Sequence, residues 1–156
     1  MKVKDAIAKV EASKEHGKFM KKSPDSFLAH AFTMKEDEGF ESWQLGYYSP
    51  KKNKITIFEL DESVKMLPES DIFKKEETMV KGLDIAKIKL DVDQAIEAAN
   101  KVNQEIYPQI LSHKQILILQ NIEEGQVWNI TFISSGMDVL NIKIASDSGK
   151  VISHNL

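Results

Sequence analysis

Shifted on itself by 85 positions, the sequence aligns residues 43–66 with residues 128–151 without a gap, and the first aligned pair is Trp43 with Trp128, the two tryptophans of the chain. Ser49 then pairs with Ser134, Ile57 with Ile142, Ser63 with Ser148 and Lys65 with Lys150. Such a repeat constrains a fold more than composition does, because similar segments form similar units. The matched alternation says more than the identities. Trp43, Leu45, Tyr47, Ile55 and Ile57 stand against Trp128, Ile130, Phe132, Leu140 and Ile142, with apolar residues at every second position. That period belongs to strands with one buried face. Between the strands lie Ser49-Pro50-Lys51-Lys52-Asn53 and Ser134-Ser135-Gly136-Met137-Asp138, both rich in turn formers. Each copy is therefore expected to hold a hairpin. Phe27 to Phe32 and Ile116 to Leu119 read as preceding strands, joined to the Trp strands through Glu36-Asp37-Glu38-Gly39 or Glu123-Glu124-Gly125. Three antiparallel strands per copy follow.

A helix precedes each set. Val3, Ala6, Ile7 and Val10, and then Val92, Ala95, Ile96, Ala99, Val102 and Ile106, recur at spacings of three and four that share one helical face. Asp91 with Gln94 three residues on predicts a capping box; Lys2 aligns with Asp91 and leaves the first helix start to fray. Gly17 and Pro108 read as stops. The expected fold class is thus α+β, two repeats, each an N-terminal helix packed on an antiparallel sheet of about three strands. Residues 1–66 form the first repeat, 67–90 an ordered connector and 91–156 the second repeat. Within the connector, Leu67-Pro68-Glu69-Ser70 predicts a turn, Lys74-Lys75-Glu76-Glu77 a solvated stretch, and Ala86 to Leu90 a strand running into the second helix.

Each copy resembles a PepSY domain, whose pattern has a helix opening on a Val-x-x-Ala-Ile-like start, a strand opening on Trp, and a last strand ending in an Asp-Ala-x-Thr-Gly-Glu-Val-like run. The matching residues are Val92 to Ile96, Trp128 to Phe132 and Ala145 to Val151, with Val3 to Ile7 and Trp43 to Tyr47 in the first copy. Ala145 stands where the family has an acidic residue, and Val64 where the second copy has Gly149. The resemblance implies a cystatin-like fold, a secreted or envelope setting, and a role in binding or restraining partners, in some members a peptidase.

Several chemistries are argued against by the residues. Without cysteine there is no thiol nucleophile, zinc thiolate or disulfide. A net charge of −3 on mixed-sign residues supplies no basic field for nucleic acid. No run approaches the roughly 20 apolar residues that cross a bilayer, and the charged start reads as cytoplasmic, or as an envelope or secreted chain whose leader has been removed. The dispersed glycines make no phosphate loop. His16, His30, His113 and His154 have no neighbour at ligand spacing; His16 reads as helix-end charge compensation. Glu36, Asp37, Glu38 and Glu41 read as a solvated hairpin tip and Ser134-Ser135-Gly136 as a turn, not a nucleophile elbow. No catalytic residue, cofactor or metal is expected.

The outward faces of the strands carry the functional expectation. Gln44, Gly46, Tyr48, Thr56 and Phe58 in the first copy, and Asn129, Thr131, Ile133, Asn141 and Lys143 in the second, should alternate with the core residues. Tyr48, Phe58 and Ile133 are large and apolar where packing does not require it, which makes them candidate partner-binding residues of a non-enzymatic protein- or peptide-binding module. The other expectations are that these faces cover one another or a second chain in a homo-oligomer, or that a small-molecule pocket opens between helix and curved sheet.

Overall fold

Strand β1 (Phe27–Glu36), from the first half of the chain, pairs antiparallel with β7 (Ser112–Ile122) from the second, Ala31 opposite Leu119 and Thr33 opposite Leu117. The computed structural model describes residues 1–37, 39–71 and 79–156. Among these, β1 and β7 sit at the centre of one antiparallel sheet of ten strands. Its order is β10 (Val151–Asn155), β9 (Val139–Ala145), β8 (Gly125–Ser134), β7, β1, β3 (Trp43–Ser49), β4 (Lys54–Leu60) and β5 (Val64–Met66). Two short strands, β2 (Gly39–Phe40) and β6 (Ser70–Asp71), pair with β1 and β4.

This overturns the expected fold class. The protein is not two helix-on-sheet repeats with sheets of about three strands each; it is a sheet-dominated fold built on one continuous sheet. The reason is that β1 and β7 would each have been an open edge with unpaired backbone groups. Pairing them satisfies those groups and buries Ala31, Thr33, Leu117 and Leu119 completely.

Among the described residues the α-helices are α1 (Val3–Glu11), α2 (Lys14–Lys22) and α3 (Val92–Ile106). The first helix does not run to Gly17. It ends at Glu11, and Ser13 Oγ accepts from the His16 amide to start α2, which passes through Gly17. The capping box at α3 is present, with Asp91 and Gln94 in reciprocal bonds. Asp91 reaches further: its Oδ1 also accepts from the Val3 amide at 3.2 Å, so one carboxylate meets the positive ends of α1 and α3 together.

Val3, Ala6, Ile7 and Val10 of α1 and Val92, Ala95, Ile96, Ala99 and Val102 of α3 are buried in one core with Trp43, Leu45, Phe58, Trp128, Ile130, Phe132 and Ile142. Fully covering a side chain of this size stabilises by about 1.5–3 kcal/mol. Ile106, expected on the buried face, is 49% exposed in the last turn.

The described ends of the connector are bound to the sheet rim. The Leu83 amide donates to Leu28 O, Asn121 Nδ2 to Gly82 O, and Gln126 exchanges two bonds with Asp84. Ile85–Lys87 is a 3-10 turn capped by Asp84, not the expected strand. The expected solvated stretch Lys74 to Glu77 lies outside the described residues.

Candidate interaction face

Register decides which residues face the helices. Trp43 lies opposite Leu60, Leu45 opposite Phe58 and Tyr47 opposite Thr56. In the second hairpin Trp128 lies opposite Ile144, Ile130 opposite Ile142 and Phe132 opposite Leu140. From Trp43 to Leu60 is one residue further than from Trp128 to Ile144, so the first turn carries an extra residue and a gapless alignment slips beyond it. A one-residue slip moves every side chain to the other face. Phe58 is therefore a core residue, fully buried against Tyr47, Phe19 and His16, and not an outward one. Thr56 likewise turns inward, and Ile55 and Ile57 turn outward.

Tyr48 does lie on the face away from the core, but it is covered there. Its ring meets Phe27 edge-on at 5.8 Å and its hydroxyl donates to Asn53 Oδ1 at 2.6 Å. Ile133 lies on that face half-buried, opposite Val139 and Lys114.

The sequence reading missed the centre of this face. Phe32 and Met34 of β1 stand opposite Ile118 and Ile116 of β7, and all four are half-buried on the side where no helix packs among the described residues. They form a two-by-two apolar block across the seam joining the halves. Their alternation with Ala31, Thr33, Leu117 and Leu119 was visible in each strand, but neither strand alone reveals that the other lies beside it. Next to the block runs a polar ladder, in which Asn141 Nδ2 donates to Asn129 Oδ1 at 2.6 Å and to Thr131 Oγ1 at 3.2 Å. On the other flank His30 lies across from Gly46, and a Cβ on that glycine would run into the imidazole. Burial holds the His30 pKa below the ordinary histidine value.

On the helix side, His16 is 9% exposed, with its ring 4.8 Å from Tyr47 and 5.6 Å from Phe58, and its Nε2 has no hydrogen-bond partner among the described residues. Burial lowers its pKa against the opposing pull of Glu11. It lies in the first turn of α2, where a positive charge is disfavoured, so the expected charge compensation at a helix end does not occur. Tyr47 Oη donates to Glu11 Oε2 at 2.9 Å; burial and then the carboxylate's charge push the phenol well above its ordinary pKa. This cluster ties α1 and α2 to β3 and holds the phenol as a fixed donor.

Among the described residues no three His, Asp or Glu side chains gather as a metal site, and no helix is long and apolar enough to cross a membrane. One groove of about 400 Å³ lies between α3 and β10, and another of about 530 Å³ lies beside the starts of α1 and α3, lined by Lys2, Asp5, Phe40 and Asp93 among others.

No protein-family profile matches the sequence, and no curated protein matches it. The structure is similar to the crystal structure of a "putative lipoprotein" from Clostridium difficile 630, with a TM-score of 0.55 over 94% of this chain and 93% of that one. The two are 16% identical, so the likeness establishes a shared fold and nothing finer.

Proposed function

We propose that this protein is a non-enzymatic module that binds a protein or peptide partner with the helix-free face of its sheet. The observation that carries the reading is the block of Phe32, Met34, Ile116 and Ile118, with Ile133 beside it. A residue pointing away from the core has no packing reason to be apolar, and four registered across two central strands make a patch, not a scatter. The Asn129, Thr131 and Asn141 ladder supplies the polar flank that interfaces place around an apolar centre. Of the three residues first singled out, Ile133 alone stays in this reading. The PepSY resemblance adds a peptidase as a partner class. The description of the structurally similar Clostridium difficile protein as a "putative lipoprotein" supports an envelope setting.

A photo-reactive phenylalanine in place of Thr131, on this face, should give a discrete cross-linked partner in the producing cells. The same group at Lys18, exposed on α2, should not. Adding Ile118→Lys should abolish the adduct while the circular dichroism spectrum stays unchanged. An adduct that survives Ile118→Lys, or none from Thr131, would remove this face as the binding surface.

A further inference from the structure

Among the described residues the sheet ends at β10, which pairs with β9 alone through a register shift between Val151 and Ser153, so its outer backbone amides and carbonyls have no ladder partner there. Its Val151 and Ile152 are 44% and 39% exposed, an unusual pair of β-branched residues to leave on a free edge. Beside this edge runs α3. The Leu90 side chain packs on Gly149 at one end, and Tyr107 Oη bonds His154 Nδ1 at 2.7 Å at the other, so helix and strand run alongside in the same direction. The groove between them has Ala98, Val102 and Val151 along its floor and Glu97, Lys101 and Glu105 along its rim. Val151 pairs with core-facing Ile144 and therefore points to the helix side.

The shape and the charge together define an occupant. A free strand edge is complemented by another extended main chain, which sends every second side chain toward the neighbouring helix. Glu97 and Glu105 make no ion pair or hydrogen bond among the described residues, and Lys101 between them leaves the rim with one net negative charge. Eight helical residues separate the two carboxylates by about 12 Å. Four residues of an extended strand span about 13 Å.

We propose that this groove takes an extended peptide, added as a strand to β10, with an apolar residue over the floor and Lys or Arg two positions to either side. The site is separate from the helix-free face and does not depend on it.

The probe is acetyl-Ser-Lys-Thr-Val-Thr-Lys-Ser-amide, titrated into the labelled full chain and followed by amide NMR shifts. Shift changes confined to residues 94–105 and 149–155 are expected. Val151→Pro, which removes an amide facing away from β9, should abolish them, with circular dichroism confirming the fold. The variant Glu97→Lys/Glu105→Lys, altered only on an exposed flank, should weaken binding by about tenfold and prefer the peptide carrying Glu in place of Lys. Ile118→Lys should leave the titration unchanged, which separates this site from the face. The proposal is overturned by no shifts in these segments at millimolar peptide, by equal binding of both peptides, or by a concentration-dependent dimer in which β10 is already occupied by a second copy.

Discussion

Trp43 and Trp128 meet at the centre of the core with ring centroids 6.3 Å apart and planes inclined at 51°. Each indole donates to the carbonyl two residues before a helix: Trp43 Nε1 to Met1 O and Trp128 Nε1 to Leu90 O, both at 3.0 Å. One pair of side chains thus fixes the starts of α1 and α3 to the sheet and to each other. Trp128 is fully buried and its partner carbonyl opens a fifteen-residue helix; Trp43 is 5% exposed and anchors a nine-residue helix. Trp128→Phe should cost about 2–3 kcal/mol by lost packing and a carbonyl left without its donor, and Trp43→Phe about 1 kcal/mol. Urea unfolding of both variants checks the order, which equal losses would contradict.

Asp91 serves two helix starts, so its removal should exceed the usual loss of a cap. Asp91→Ala should cost about 2–3 kcal/mol where one cap is worth about 1 kcal/mol, and Asp91→Asn, which keeps an acceptor, about half as much. Gln94→Ala, which touches α3 alone, is the comparison in the same denaturation series.

Gly46 is required by the imidazole of His30 lying across it. Gly46→Ala should destabilise by about 1–3 kcal/mol, and the penalty should largely vanish in a His30→Ala background. A double-mutant cycle measures the coupling; additive losses would mean that the two residues do not meet.

Stability should depend on pH through His16 and His30, whose folded pKa values both lie below the ordinary value of 6.5. Between the folded and unfolded values the unfolded chain holds more protons. The contribution is therefore fully present above about pH 6.5 and is lost as pH falls through the folded values. Carboxylates held low, such as Asp25 and Asp71, act in a more acidic window. Urea midpoints at pH 7.5 and 5.5 should fall for the native chain and change far less for His16→Leu/His30→Leu.

Much of the local structure was legible because it is written in neighbouring residues. The Asp91 to Gln94 spacing specified its own capping box, and the alternation from Trp128 to Ile142 specified a hairpin with the correct inner face. Sequence reasoning failed where the outcome depends on a single inserted residue or on a distant partner. The extra residue in the turn after Ser49 turned Phe58 inward, and nothing in Leu45 to Phe58 taken alone displays that parity. Gly17 signalled a stop, yet Ser13 four residues earlier had already begun a new helix. The union of β1 and β7, and with it the apolar block on the far face, joins segments some 85 residues apart in the chain. The repeat drew attention to what each half does internally and away from what the halves do together.

The claim on which the face and its function rest is that β1 and β7 are adjacent strands of one sheet. Amide hydrogen exchange with NOE measurement tests it directly. Contacts between Phe32 and Ile118 and between Met34 and Ile116, with β1 and β7 amides protected as strongly as the core of β8, are the predicted result. Absent contacts with fast exchange along the β1 and β7 seam, or separate unfolding of the two halves, would contradict it.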